Sequence, residues 1–365
     1  MSSPNKPKSQ ERLPVIVIGG TGVTGRMVRR ILKRYGIESH YTSRKGGPEA
    51  EHHALELNDS DSGFSEAVRL LSRFTWAVIC VGPFEVVEDN FHQACLSAGT
   101  NVVDVNDYPE LAIQLGREQS QAEGKEVRVL TGWGLSPGIS TAVVLRLAKQ
   151  WPVSIDDTYV TTDLSIGRGQ ESGAAAVRSM FRTLRSPHTA VREGNLVEMS
   201  RPRPSDDGYI AYETPDVHYI PLVLKMIRSY EYRVRFAALT ASDIRTLSKR
   251  RIFTSQRWEE RLASFFARMA SKKARKAEAD AQEDSSAELT TTFYGEGQKL
   301  VARLVGQGSY ALTAAFAATA VAEAMSRDLS PGVIDPVTDP EFTDRVLARI
   351  LGGEEVRSFN VDRER

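Results

Sequence analysis

The chain has 365 residues, 41% hydrophobic and 26% charged, and its 47 basic residues cancel 47 acidic ones. That length suits about two domains, and a balanced charge gives no field to gather nucleic acid, so no nucleic-acid partner is expected. Two cysteines, Cys80 and Cys95, are too few for a disulfide framework or a thiolate metal site, which fits a soluble cytoplasmic protein.

Residues 1–12 are polar and lack the apolar core of a signal peptide, so they read as a disordered tail. No apolar run reaches the roughly 18 residues of a membrane span. Residues 14–19 are a short β-branched run that stops in glycines, the pattern of a strand buried on both faces of a parallel sheet. Met27, Val28, Ile31 and Leu32 then fall at helical spacing, and Gly36 closes the segment. Further strands are expected over Ile37–Ser43, Ala54–Leu57, Trp76–Val81, Asn101–Val105 and Val127–Thr131. Helices are expected between them over Phe64–Leu71, Val87–Ala98 and Glu110–Glu123. This alternation means βαβ units and an α/β, doubly wound parallel sheet of the Rossmann type.

After Trp151 the rhythm changes. Thr158–Ile166 and Glu231–Ala238 read as longer strands, with one helix over Gly173–Leu184, which suits an α+β domain with a largely antiparallel sheet. Trp258, Leu262, Phe265, Phe266 and Met269 share one face of a basic helix over 255–275, with Arg257, Arg261, Arg268, Lys272 and Lys273 on the rest. We read the apolar stripe as packing on the second sheet; a lid over a greasy substrate or a peripheral membrane contact is the alternative. Residues 271–286 are a charged linker. From Tyr310 the chain is helical again, and a last helix runs over Pro340–Leu351.

The run GGTGVTG, Gly19–Gly25, sits between the first strand and the first helix and contains G-x-G-x-x-G at Gly20, Gly22 and Gly25. Gly20 is expected to permit the tight turn, Gly22 to let a pyrophosphate approach, and Gly25 to allow close helix–strand packing. Together with Thr21, Val23 and Thr24 they present unpaired N–H groups at a helix N-terminus. The second strand ends in Ser43, Arg44 and Lys45 with no acid beside them, which favours the 2′-phosphate of NADP(H) over the hydroxyl of NAD. The fourth strand ends in Cys80, Val81, Gly82, Pro83 and Phe84, which would wall the crevice where a dinucleotide crosses. Cys80 reads as a small hydrophobe, since no sequence-near His or Lys would activate it.

Four blocks, GGTGVTG, CVGPF, ACLSAGTNVVDV (Ala94–Val105) and GWGLSPGIST (Gly132–Thr141), together resemble the saccharopine dehydrogenase (saccharopine reductase) superfamily, and Ser172–Val197 resembles it more weakly. The resemblance implies a Rossmann domain over 13–150 plus about 308–365, an inserted α+β substrate and dimerisation domain over 151–307, and C-terminal helices that return to the first domain. It also implies a homodimer, with Asp104 and the Trp133–Gly138 loop near the nicotinamide. The expected activity is NADP(H)-dependent hydride transfer to or from an imine or amine, less readily an enoyl or carbonyl group, of a small molecule in the interdomain cleft. A non-catalytic NADP(H)-binding redox sensor is the alternative.

No pair among the six histidines has metal-ligand spacing, so no metal is expected. His188 and His218, with Trp133, are the candidates for a catalytic role, and none is singled out. The one Tyr-x-x-x-Lys spacing, Tyr41 to Lys45, falls on the second strand, which argues against a short-chain reductase.

Overall fold

The computed structural model describes residues 12–57, 61–152, 154, 157–167, 173–225, 227–237, 261–269, 272 and 285–364. In the first part strands and helices alternate: β1 (Leu13–Ile18), α1 (Val23–Arg34), β2 (Ser39–Ser43), β3 (His52–Ala54), α2 (Asp61–Leu71), β4 (Phe74–Ile79), α3 (Phe84–Val87), α4 (Asn90–Ala98), β5 (Asn101–Asp104), α5 (Pro109–Gly116), α6 (Gln119–Gly124), β6 (Arg128–Leu130) and α7 (Ser140–Ala148). Next come β7 (Tyr159–Ile166), α8 (Ala174–Thr183), β8 (His188–Arg192), β9 (Asn195–Met199), β10 (Ile210–Ala211), α9 (Asp216–Val223), β11 (Ser229–Phe236), β12 (Ala287–Gly295) and β13 (Gln298–Gly306). Last are α10 (Ser309–Met325), β14 (Gly332–Ile334), α11 (Pro340–Leu351) and β15 (Val356–Glu364).

The first sheet has seven parallel strands in the order β14-β6-β5-β4-β1-β2-β3. Its inner strand β1 pairs with β4 at Val15↔Trp76 and with β2 at Val15↔Ser39. Val15, Ile16 and Val17 are fully buried, as the unbroken β-branched run requires of a strand covered on both faces. Helix α1 buries Val28, Ile31 and Leu32. Helix α10 runs beside α1, with Ala314, Phe316, Ala317, Ala318, Ala320 and Val321 all sealed from solvent. Its alanines let the two helix backbones lie close, and the Tyr35 and Thr319 hydroxyls bond across them at 2.9 Å.

The second sheet has the order β15-β13-β12-β7-β11-β8-β9, with β10 on β11. Only β7 and β11 pair in parallel; the other pairings are antiparallel, in line with the largely antiparallel sheet expected. The hairpins β8–β9 and β12–β13 were not anticipated as elements, although Glu296-Gly297 between alternating runs is an ordinary hairpin signal.

Three expectations need correction. Residues 356–364 do not join the dinucleotide-binding part, as the 308–365 assignment had them; β15 pairs with β13 and covers what would otherwise be that strand's bare edge. Two predicted helices are broken: Val87–Ala98 at Glu88, whose φ is 48°, and Glu110–Glu123 between α5 and α6. In the basic helix, residues 261–269 are helical, but the face turned inward is Ala263 and Ala267, packed with Val177 and Phe181 of α8. Phe265, Phe266 and Met269 are exposed, so the large side chains do not pack on the sheet. Small residues let this helix sit close to α8, which turns Phe265 and Met269 outward, while Leu262 and the Phe266 ring rest against the α8 cluster. Trp258, Arg257, Lys273 and the rest of 255–275 apart from Lys272, the tail over 1–11 and most of the 271–286 linker lie outside the described residues.

Candidate functional site

The loop between β1 and α1 uses each glycine for a different reason. Gly19 carries the left-handed turn, with φ at 77°, and a Cβ there would sit 2.7 Å from Val81 Cγ1. The turn thus falls one residue earlier than the sequence reading gave it. Gly20 is required by space instead, because a Cβ would overlap Cβ of Tyr41. At Gly25 a Cβ would overlap the Gly19 carbonyl oxygen, the close helix packing that was expected. Gly22 differs: a Cβ there meets only the Gly19 oxygen, at 3.2 Å, and its outer side is open. It is also the N-cap of α1, with no side chain capping the helix, so the first-turn amides face outward unpaired by a cap. Thr21 is exposed beside it, Val23 and Thr24 are half-buried, and Arg26 Nη1 donates to the Thr21 carbonyl at 2.7 Å.

At the end of β2 the three candidates separate. Ser43 is already engaged, its hydroxyl 2.7 Å from His52 Nε2. Arg44 and Lys45 are exposed, with no ion pair to another described residue. The neighbouring Tyr41 ring lies under the Arg29 guanidinium at 3.3 Å and is buried.

Beyond β4, Val81 closes the underside of the glycine loop, Pro83 follows a cis peptide from Gly82, and Phe84 is buried. Burial, with the charge of Asp104 behind it, pushes the Cys80 thiol up to about 12, so it stays a thiol at neutral pH. Asp104 itself is fully buried. Its carboxylate accepts from His92 Nε2 at 2.8 Å, Asn106 N–H at 2.9 Å and Gly132 N–H at 2.7 Å. Those bonds tie the end of β5 to the loop after β6 and leave Asp104 facing the interior. Trp133 is likewise sealed in the core, its indole N–H donating to the Ile334 carbonyl at 2.9 Å and its ring against Phe316 and Phe342. It is a packing residue, and the idea of a catalytic Trp133 is withdrawn.

Between the carboxyl ends of β4 and β5 and the elements α8 and β8 lies a shallow, solvent-open cleft. Glu85, Asp107, Arg182, His188, Tyr212 and Glu213 line it. Arg182 lies 4.2 Å over the Tyr108 ring and reaches Glu85 at 3.8 Å and Glu110 at 3.9 Å. Burial, then the charge of Glu85, pushes the Asp107 carboxyl up to about 6. Burial also raises the Tyr212 hydroxyl far above its usual range and lowers the His188 imidazole, which is therefore neutral at physiological pH. His218 sits half-buried on α9, outside this lining, with its pKa lowered by burial. Of the two candidate histidines, the fold brings only His188 to the cleft.

A second buried carboxylate lies deeper. Asp216 at the start of α9 accepts from Ser136 at 3.0 Å, Ser140 at 2.6 Å and Thr214 at 3.1 Å, and from Thr141. Burial outweighs these hydroxyls and pushes its carboxyl up to about 6. It joins the loop before α7 to the second layer.

Glu85, Asp107, Arg182 and Tyr212 were missed in the sequence. Glu85, in α3, and Asp107 lie in the segments that leave the ends of β4 and β5, so the rule that ligands lie beyond the carboxyl ends of parallel strands was the available signal.

No family model matches the chain, and no curated protein matches it. Among solved structures, it superposes on apo saccharopine dehydrogenase (L-Glu forming) from Saccharomyces cerevisiae with a TM-score of 0.63 at 12% identity, covering 96% of this chain and 100% of that one. Weaker likenesses are a meso-dapdh mutant with DAP from Clostridium tetani, TM-score 0.47, 12% identity, 91% and 96% covered, and the WlbA dehydrogenase from Thermus thermophilus with NAD and alpha-ketoglutarate, TM-score 0.42, 11% identity, 93% and 94% covered. The first of these shows the fold: a parallel Rossmann-like sheet joined to a second sheet.

Proposed function

We propose that this chain is an NADP(H)-dependent oxidoreductase of saccharopine-reductase-like architecture. It would pass hydride to or from an imine or amine, less readily an enoyl or carbonyl group, of a small molecule held in the cleft. One observation carries the reading: an open glycine loop at a helix N-terminus and a polar cleft at the ends of β4 and β5 lie on the same carboxyl edge of one parallel sheet. The fold shared with a dehydrogenase supports it.

The residues present fit a dinucleotide. The loop tolerates no side chain at Gly20 or Gly25, yet it is open at Gly22, where a pyrophosphate would meet the backbone N–H groups of Val23 and Thr24, the Gly22 N–H being held by the Gly19 carbonyl at 3.0 Å. Arg44, with Lys45, is free to pair with a 2′-phosphate, while Ser43 is held by His52. Val81 to Phe84 would wall the path towards the cleft. Bound there, the cofactor supplies the hydride.

The chain's own part is positioning and proton transfer. Asp107, pushed up to about 6, exchanges its proton close to neutrality and is the residue we assign as acid or base towards the substrate nitrogen. Arg182 and Tyr108 hold each other and set one wall. This titratable set favours turnover over the redox-sensor alternative. The same reading includes a cytoplasmic homodimer, checked by light scattering of the purified chain.

The test is a calorimetric titration with NADPH and NADH, followed by steady-state oxidation of NADPH against a panel of imines formed in place from amines and aldehydes or keto acids. Turnover of an imine is the expected result. Failure to bind either nucleotide overturns the reading.

A further inference from the structure

We infer that the cleft recognises an aliphatic primary ammonium group, so that the substrate presents an amine cation, and no carboxylate, to Glu85, Asp107 and Glu213. The inference rests on the proposed function only in taking this cleft as the substrate site.

The donors and acceptors that remain for a ligand are unequal. Three carboxylates line the cleft, Glu85, Asp107 and Glu213, against one guanidinium among the described lining residues. That guanidinium, Arg182, is already stacked on Tyr108 and shared between Glu85 and Glu110. The Tyr212 hydroxyl is turned to Thr183.

His188 is the independent observation. It lines the cleft, is only 8% exposed, and its Nδ1 has no hydrogen-bond partner. The Ser200 backbone carbonyl accepts a hydrogen bond from the imidazole. With Nδ1 unpartnered, the donor is the Nε2–H group. Nδ1 is then left as a bare acceptor in a neutral ring. A buried acceptor without a donor is unusual in a folded protein and marks a place where a ligand supplies one.

An alkylammonium has three donors and no acceptor, which matches this lining; a carboxylate has acceptors only and would meet three of its own kind. Burial first, and then the negative charge of Glu85, raises the Asp107 carboxyl, and the second of these causes reflects the same surplus of carboxylates.

The experiment uses the full chain and three probes of equal length: 1,5-diaminopentane, 5-aminopentanoate and glutarate, titrated calorimetrically with and without NADPH. We expect the diamine to bind tightest and glutarate weakest, about ten-fold or more apart, as one charge-assisted hydrogen bond gives. Asp107→Asn and Glu85→Gln should each weaken the diamine by about ten-fold and leave NADPH affinity unchanged. Glu213→Gln, at the half-buried far rim, serves where either of those lowers the melting temperature. Glutarate binding as tightly as the diamine, diamine binding that survives all three substitutions, or no binding of any probe overturns the inference. A chain that binds the diamine but no nucleotide retains the inference and loses the proposed function. One that binds NADPH and prefers glutarate does the reverse.

Discussion

The N–H of Gly132 donates to the Oδ1 of Asp104 across 2.7 Å, joining the end of β5 to the loop beyond β6. The same oxygen takes the Asn106 N–H, and the other takes His92 Nε2. Asp104→Asn turns part of this acceptor into a donor facing donors. Leaving buried N–H groups unsatisfied costs about 1–3 kcal/mol each, so urea melts should show a loss of that order. NADPH affinity of the folded fraction should stay near wild type, because Asp104 does not face the cleft. A large loss of affinity at unchanged stability would return Asp104 to the cofactor site.

The glycines should respond unequally. Gly25→Ala forces a methyl group into the Gly19 carbonyl and should destabilise by about 1–3 kcal/mol, as overpacking does. Gly22→Ala has room and should hold stability within about 1 kcal/mol while weakening NADPH about ten-fold or more by blocking the approach of the phosphates. Thermal melts and nucleotide titrations on the two variants separate the effects.

NADPH should bind more tightly than NADH by about 10- to 150-fold, the worth of a charge-assisted contact of roughly 1.5–3 kcal/mol at Arg44. Arg44→Ala should remove most of the gap by weakening NADPH alone. Added salt should narrow the gap too, because Arg44 is exposed and screened. Equal affinities in the wild type would mean that Arg44 points into solvent.

Helix 261–269 gives a contrast within one turn. Phe265→Ser removes an exposed ring and should move stability by no more than about 0.5 kcal/mol. Ala267→Leu pushes three carbons against Phe181 of α8 and should cost about 1–3 kcal/mol. The reverse order in urea melts would restore the aromatic stripe to the core.

Asp216 predicts a pH dependence. Its carboxyl is raised from 3.8 to about 6 in the folded chain, so the folded state binds this proton more tightly than the unfolded state. The contribution is therefore fully present below about pH 4 and is lost as pH rises through 6. Its size is on the order of 3 kcal/mol, at about 1.4 kcal/mol per unit. Asp216→Asn should flatten stability between pH 4 and 7. An unchanged slope would assign that slope to other groups.

The first sheet was legible because β1, β4, β5 and β6 carry short apolar runs followed by helices, and the β1–α1 loop carries glycines that only close packing explains; β2 and β3 are polar, and β14 was not anticipated. The second sheet was less so. Its hairpins β8–β9 and β12–β13 alternate weakly and are mixed with charges, and β15 is recognisable only once β13 offers it an edge. The site split in the same way. The phosphate-facing loop is a local pattern, whereas the cleft is assembled from four separated stretches, so neither Asp107 nor Arg182 announces itself in sequence. Asp104 was named because it lies in the block that resembles the saccharopine dehydrogenase superfamily, and no motif in the sequence pointed to Asp107. Which of two acids three residues apart faces inward depends on the turn at Asn106, and spacing alone does not decide that.

Because β14 enters the first sheet after the second is nearly complete, and β15 then crosses back to β13, the chain laces the two sheets together. Neither layer can close before its last strand has left the ribosome. A nascent chain with β6 already in place still shows a raw sheet edge where β14 will sit and an uncovered trough along α1 where α10 will lie. For that interval it depends on chaperones, or on speed, to avoid pairing with its neighbours. Among the described residues, β14 and β15 each hold one sheet to a stretch of chain that follows the other.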